Sequence, residues 1–284
     1  SAPNGGLTYL NRLLPALVTV LGSELKPLER AEAGQVLGKL GDPRPEVMTV
    51  AAMQFCFVPA GPFNMGSYKE HDPEAYDDEQ PRHEVVLPDY SMGRYPVTNA
   101  QFAEFAQAGG YAESDYWEEA QGAGIWRDGQ IEDGWGNARS RLADYGEPFS
   151  LPNHPVVGVT WYEALAFTRW LTTRWRAAGI LPADWEVRLP SEAEWEKAAR
   201  GGLDVPVRLS VVSAMSRLAF PGVSGKQPNP VADRIYPWAD EFESVKANTS
   251  EAGIGKTSAV GCYPAGASPY GVQDMSGNVW EWTR

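Results

Sequence analysis

Cysteine is scarce in this sequence. Cys56 and Cys262 are the only two cysteines in 284 residues, which excludes a disulfide-rich scaffold. Cys56 lies in the apolar stretch 54–58, a pattern typical of a buried strand. We interpret both residues as structural thiols. A single disulfide between them stays open, because spacing along the chain does not determine the geometry that this bond needs.

Positive charge and long apolar runs are also lacking. The formal net charge is −13, and no basic run interrupts the acidic surplus, so we expect no nucleic-acid partner. No stretch approaches the roughly 18 apolar residues of a membrane-spanning helix, and no signal peptide is visible. We therefore expect no membrane partner and a cytoplasmic location. Acidic residues cluster at 70–79, which indicates a solvated loop or, alternatively, a site for a cation or a basic partner.

Histidine is nearly as rare as cysteine. The three histidines, His71, His83 and His154, include no pair at the helical spacing that a zinc site needs. We expect them to be structural or to lie on the surface.

Aromatic residues, in contrast, are plentiful. The chain has 11 tryptophans and 43% hydrophobic residues, which is typical of a globular protein with a large core. The tryptophans fill the core of a loop-rich fold or line a ligand groove, and we favour the core.

The first 50 residues differ in pattern from the rest. Leucines and valines recur at helical spacing over 10–21, and a second helix is predicted from Pro27 to Leu40, with Gly41 ending it. Prolines then break the chain at 43 and 45. We interpret residues 1–50 as a helical lead-in or linker, of a kind that suits fusion to an upstream domain.

Residues 51–284 alternate short elements with long irregular segments. Strands are predicted near 55–63 and at His83–Leu87. Three helices begin with a capping box, in which a cap hydroxyl and a carboxylate or amide three residues later bind free backbone N–H groups. These boxes lie at Thr98–Gln101, Thr160–Glu163 and Ser191–Glu194.

Six motifs in this region resemble one known family. In chain order they are VPAGPFNMGS (58–67), DEQPRHEV (78–85), YPVTN (95–99), HPVVGVTW (154–161), RLPSEAEWE (188–196) and GNVWEW (277–282). Together they resemble the formylglycine-generating enzyme family, also called the sulfatase-modifying factor family. The resemblance implies an α+β, C-type-lectin-like fold of the formylglycine-generating enzyme subtype. It would have a small antiparallel sheet, flanking helices and extensive ordered loops over residues 51–284, ending before the family's C-terminal segment.

The resemblance also raises the question of whether this chain contains the family's copper-binding cysteines. Enzymes of this family bind copper(I) through two cysteines near the C-terminus and use dioxygen to oxidise a sulfatase cysteine to formylglycine. Those cysteines follow the Trp-Glu-Trp motif, so we carry the role to neither Cys56 nor Cys262 and assign no catalytic residue. Copper is expected only if sequence beyond Arg284 holds the pair. Related iron-dependent sulfoxide synthases need three histidines on an added helical domain, which is not found here.

Structural calcium is a further implication of the resemblance. One site would take carboxylate and backbone oxygens from Asp274, Gly277, Val279 and Glu281. A second would use Asn248, Thr249 and Ile254. The second site departs from the family pattern, because Ala252, with Glu251 beside it, stands where a carboxylate is usual. Calcium takes about six to eight oxygen ligands, which loops of this kind can supply. The alternative is that Asn278 and Glu281 only brace the loop through hydrogen bonds.

Three hypotheses about the function follow from the sequence. We favour a non-catalytic domain whose C-terminal surface binds a protein or a small ligand. Such a domain resembles the variable proteins of diversity-generating retroelements and would belong to a bacterial protein. The alternative is a copper-dependent formylglycine-generating oxidase acting on sulfatase cysteines, with its catalytic cysteines beyond Arg284. A weaker third hypothesis is a structural or regulatory domain of a multidomain protein.

Overall fold

The computed structural model describes residues 5–134, 136–216, 218–219 and 225–284. Short helices and strands in these ranges are joined by long ordered loops. The helices are α1 (Gly5–Leu21), α2 (Pro27–Leu40), α3 (Pro45–Met48), α4 (Asn99–Gln107), α5 (Glu118–Gly122), α6 (Trp161–Ala177) and α7 (Glu192–Arg200). The strands are β1 (Gln54–Val58), β2 (Gly61–Met65), β3 (His83–Leu87), β4 (Tyr90–Gly93), β5 (Trp126–Arg127), β6 (Gln130–Glu132), β7 (Ala138–Arg139), β8 (Asp204–Pro206), β9 (Val211–Ser213) and β10 (Lys226–Pro228).

Local sequence signals account for most helix boundaries. The predicted second helix, Pro27–Leu40, is confirmed as α2. The three predicted capping boxes are confirmed at Thr98, Thr160 and Ser191, whose side chains each accept the N–H of the third helical residue. A cap of this kind stabilises a helix by about 1 kcal/mol, because it satisfies a backbone donor that has no partner inside the helix.

The strands pair in antiparallel fashion, as expected, but they are divided among four small sheets. The strand orders are β4-β1-β9, β2-β3, β8-β10 and β5-β6-β7. Within the described ranges no strand exceeds five residues, since prolines, glycines and turns interrupt the chain. β1 is the central strand of its sheet, and its register places Cys56 opposite Met92 and Phe57 opposite Ser91. The small sheets position loops rather than form an extended surface.

The largest core lies between α4 and α6 and is strongly aromatic. Phe102 stacks on Phe167 with ring centroids 5.4 Å apart, and Phe105 contacts Trp170 edge to face at 5.8 Å. Trp117, Trp170 and Trp175 are buried in the same cluster. The preference for tryptophans as core residues is confirmed for these three. In contrast, Trp280 and Trp282 of the last motif are exposed.

The helical lead-in packs on the loops that follow α7. Leu21 and Leu37 form an apolar cluster with Ala259 and Cys262. The buried Arg30 guanidinium donates hydrogen bonds to the Cys262 carbonyl (2.7 Å) and the Val245 carbonyl (2.6 Å). A domain boundary near residue 50 stays a prediction, but the helices before it are in close contact with the loops near the chain's end.

Both cysteines are free and buried, so the disulfide that the sequence left open does not form. Burial raises the pKa of each thiol to about 12. Among the residues that the structure describes, no helix combines the length and apolar character needed to cross a bilayer.

We expect the substitution Arg30→Met to lower the free energy of unfolding by about 2 to 4 kcal/mol, because it removes two charge-assisted hydrogen bonds, to the buried Cys262 carbonyl and to the Val245 carbonyl. Urea denaturation followed by tryptophan fluorescence measures the change. Arg12→Met on the exposed side of α1 is the matched control and should change stability by less than about 0.5 kcal/mol. Equal effects of the two substitutions would show that the contacts of Arg30 do not hold the lead-in on the domain.

Candidate functional site

The last motif of the chain folds as a series of tight turns. Asp274, Gly277 and Asn278 all have positive φ angles, of 60°, 85° and 67°. Glycine and asparagine tolerate this left-handed region better than other residues. Gly277 is also required by space, since a Cβ there would lie 2.5 Å from the Asn248 carbonyl oxygen.

A network of amide hydrogen bonds joins this motif to the loop 248–258. The Asn278 backbone N–H donates to the Asn248 carbonyl (2.8 Å). The Asn278 side chain accepts from the Ser258 N–H (3.0 Å) and donates to the Ser258 carbonyl (3.2 Å). The Asn248 side chain donates to the Lys256 carbonyl (2.9 Å). The bracing role proposed for Asn278 is confirmed, and Asn248 and Gly277 form one isolated bridge. The two predicted calcium segments are thus adjacent.

Two carboxylates lie beneath these turns. Burial and, to a smaller extent, repulsion from Glu281 raise the pKa of Asp274 to about 7. Burial likewise raises the pKa of Glu281 to about 7, although the Trp195 indole donates a hydrogen bond to it (2.6 Å). One buried Asp274 oxygen, Oδ2, has no hydrogen-bond partner. A pair of buried, mutually repelling carboxylates suits a hard cation or a shared proton.

The other predicted calcium ligands differ in the oxygen atoms that they could contribute to a cation site. Thr249 precedes the short 3-10 turn Ser250–Ala252. The Ile254 side chain is buried in the apolar cluster with Leu21 and Leu37, so only its backbone carbonyl is available. Within the described ranges, no group of three or more histidine, cysteine, aspartate or glutamate side chains is placed to hold a metal. Any cation here would depend on backbone oxygens, and the ligand sets stay predictions.

A cavity of about 220 Å³ opens beside the Trp-Glu-Trp motif. Its walls are mainly apolar and come from β4, α4, α6 and the segments around 156–159 and 272–282. Its apolar lining residues include Met92, Phe102, Val159, Phe167, Leu171 and Met275. Glu281, Arg188 and Trp195 are among its few polar lining residues. Sequence reasoning missed this cavity, although the RLPSEAEWE motif contains four of its lining residues, Arg188, Leu189, Pro190 and Trp195.

Hydrogen bonds to backbone carbonyls hold the end of the chain beside the cavity. The Trp161 indole donates to the Thr283 carbonyl (2.8 Å), and the Trp282 indole donates to the Val159 carbonyl (3.0 Å). The Arg284 N–H donates to the Pro190 carbonyl (3.0 Å). The Trp280 side chain, in contrast, is fully exposed at the cavity mouth.

The described residues do not fit a copper(I) centre. Copper(I) prefers thiolate sulfur, but both thiols are buried and their pKa values are raised to about 12, which keeps them protonated.

His154 is a buried structural residue close to the same loop. Its Nδ1 lies 3.0 Å from the Thr257 hydroxyl, and its Nε2 has no hydrogen-bond partner. Burial and, to a smaller extent, the charge of Lys256 lower the pKa of the ring to about 4. The ring is therefore neutral in the folded protein near pH 7.

Comparison with known proteins identifies relatives. Residues 42–284 match the family described as sulfatase-modifying factor enzyme 1-like domain. The hercynine oxygenase of Mycolicibacterium smegmatis is 32% identical over 251 residues, covering 88% of this chain and 50% of that protein. The formylglycine-generating enzyme of Thermomonospora curvata is 34% identical over 242 residues, covering 79% of this chain and 69% of that enzyme.

A third relative belongs to a much longer protein. The serine/threonine-protein kinase pkn1 of Chlamydia pneumoniae is 32% identical over 241 residues, covering 85% of this chain and 28% of that kinase. The chain thus spans about half the length of the hercynine oxygenase and about a quarter of the kinase.

We expect the His154 ring to contribute a loss of stability as the pH drops from about 6.5 to about 4, opposite in sign to the contribution of Asp274 and Glu281, whose raised pKa values favour the folded state at low pH. The unfolded His154 ring takes up a proton in this window, whereas the buried ring resists it, so the unfolded state binds more protons. Chemical denaturation at a series of pH values measures the effect.

The variant His154→Gln lacks the titrating ring and should lose about 3 kcal/mol of this pH dependence. His83→Gln, at an exposed ring on β3, is the control and should keep it. Identical pH profiles for the wild-type protein and His154→Gln would contradict the assignment.

Proposed function

The chain belongs to the family of sulfatase-modifying factor enzyme 1-like domains, and from this membership we propose that it is the substrate-binding domain of a dioxygen-dependent formylglycine-generating oxidase. One observation carries the proposal. At 34% identity the chain covers 69% of the formylglycine-generating enzyme of Thermomonospora curvata. The family match at 42–284 also includes every residue that lines the cavity at the Trp-Glu-Trp motif.

In this proposal the cavity binds a cysteine-containing peptide. The apolar walls receive the side chains next to the cysteine, while Trp280 and Trp282 flank the opening. The copper would supply the activation of dioxygen, but the described residues offer it no accessible thiolate. The proposal therefore requires thiolate ligands from outside residues 5–284, and the domain itself binds and orients the substrate.

A second candidate is the binding module that the sequence favoured. Its support is the fully exposed Trp280, which lies beside the half-exposed Trp282 at the mouth of an apolar cavity. Exposed aromatic surface next to a pocket is typical of ligand-binding or protein-binding sites. The likeness to retroelement variable proteins, the partner at the C-terminal surface and the cytoplasmic location stay predictions.

We expect the 284-residue chain to bind a Cys-x-Pro-x-Arg peptide at the cavity, which quenching of tryptophan fluorescence or calorimetry would measure. The substitution Ala164→Leu extends a side chain from α6 into the cavity and should weaken binding by about fivefold or more. Ala177→Leu makes the same change at an exposed position of α6 and should leave the affinity unaltered.

The outcomes separate the two candidates. Equal binding of a peptide in which serine replaces cysteine would favour the general binding module. Unchanged affinity in the Ala164→Leu variant would overturn the placement of the peptide in this cavity. Aldehyde formation by the 284-residue chain with copper(I) and dioxygen would contradict the need for outside thiolates.

We also propose that a calcium ion binds between Asp274 and Glu281. Three features support this: the carboxylates repel each other, one Asp274 oxygen lacks a partner, and the carbonyls of Gly277 and Val279 belong to the same series of turns. The charge of the ion would offset the repulsion. The second predicted set, Asn248, Thr249 and Ile254, would contribute backbone oxygens from the adjoining loop.

Calcium should raise the melting temperature relative to EGTA, since a ligand that binds only the folded state stabilises it by about 2.7 kcal/mol at 100 times its Kd. Glu281→Gln keeps an acceptor for the Trp195 indole but should abolish the calcium response. Glu241→Gln removes an exposed carboxylate elsewhere and should keep it. A wild-type melting temperature that does not respond to calcium would refute the site.

A further inference from the structure

A second, larger cavity lies beside the first. It has a volume of about 370 Å³ and is bounded by β4, the end of α6 and the segment 181–190. The volume is within the range of small-molecule sites, about 300–1,000 Å³. It shares Phe55, Met92, Gly93, Val187, Arg188 and Pro190 with the first cavity, whereas Trp175, Asp184 and Trp185 line the second cavity alone.

The inner walls of this second cavity are aromatic. Phe55 and Trp175 meet edge to face, with ring centroids 5.7 Å apart, and Leu181 lies with them. Tyr90 and Trp185 are partly buried and complete the lining. Rings arranged in this way suit a flat or apolar body, because aromatic side chains stack on one another and on other apolar groups.

The charge at this cavity is strongly negative. The described lining residues include one guanidinium, Arg188, and four carboxylates, which are Asp89, Asp184, Glu186 and Glu194. Arg188 is already occupied, since it donates to both oxygens of Glu194 and lies 3.6 Å from Glu186. Asp184 and Glu186 are exposed and lie at the rim. The rim therefore attracts a cation.

Two buried polar atoms on lining residues have no hydrogen-bond partner. They are the Trp175 indole nitrogen, on a side chain that is 1% exposed, and the Ser91 hydroxyl. Buried polar groups in folded proteins are nearly always paired. Of the two, the Ser91 hydroxyl can accept a hydrogen bond from an ammonium, whereas the Trp175 indole is a donor only and needs an acceptor.

We propose that this cavity binds a primary ammonium carried on an apolar or aromatic body. The body stacks among Phe55, Tyr90 and Trp185, and the ammonium lies at the rim, where it donates hydrogen bonds to Asp184 and Glu186. An ammonium is preferred over a neutral amide because charge-assisted hydrogen bonds to carboxylates are the stronger kind. The site does not depend on the function proposed above, since it uses a different cavity.

The test uses two probes of the same shape on the 284-residue chain. 2-Phenylethylamine is charged at neutral pH, and 2-phenylethanol is its neutral counterpart. Calorimetry or ligand-detected NMR should show that the amine binds at least about tenfold more tightly than the alcohol.

Three variants locate the bound amine. Asp184→Asn changes an exposed side chain and should weaken amine binding by about three- to fivefold, with little effect on the alcohol. Trp185→Leu should weaken both probes, whereas Trp185→Phe should keep most of the affinity because a ring remains. Asp144→Asn removes one charge from a surface loop outside the cavity and is the control.

Equal affinities for amine and alcohol would overturn the proposal, since the cavity would then recognise only apolar surface. No binding of either probe would overturn it as well. Amine binding that is insensitive to both Asp184→Asn and Trp185→Leu would place the amine elsewhere. Peptide binding at the first cavity is measured independently, so failure of one site leaves the result for the other intact.

Discussion

The amide cross-link between Asn248 and Asn278 is the constraint on which the site depends. Its hydrogen bonds hold two segments, 30 residues apart, in one bridge. The positive φ of Gly277 and Asn278 allows the chain to turn tightly enough to form it. With the turns held in this way, Asp274 and Glu281 are brought together beneath them, and the Trp-Glu-Trp segment runs along the cavity mouth. In a fold with few sheet hydrogen bonds, such side-chain contacts take the place of strand ladders.

Buried charged groups extend this constraint to the helical lead-in. Arg44 donates to both carboxylate oxygens of Asp42 and to the Val260 carbonyl (2.9 Å), and Asn153 donates to Asp42 (2.9 Å). Arg30 binds the same loop at Cys262. Each guanidinium satisfies backbone carbonyls that the irregular loops leave unpaired, which a purely apolar contact would not do. The helices before residue 50 thereby support the loops that carry the site.

The described residues have the fold of the family, but they offer no accessible thiolate for a copper centre. The chain has the α+β fold of the sulfatase-modifying factor enzyme 1-like domains, with small antiparallel sheets and flanking helices. Its relatives include enzymes, yet both of its thiols are buried. The apolar cavity and the exposed tryptophans are features that an oxidase and a binding module would share. Ligand binding at this site is the element that the two proposed functions have in common.

The sequence by itself determined the local features of this protein. Capping boxes at Thr98, Thr160 and Ser191 and the α2 pattern depend on neighbouring residues only, and the six ordered motifs were sufficient to predict the family fold. The tertiary structure decided the rest, because it depends on contacts between distant segments. Nothing in the spacing of Arg30 and Cys262, or of Asn248 and Asn278, indicates that they touch. Cavities are likewise formed by walls from several elements, so the acidic rim near Asp184 could be recognised only once the chain was folded.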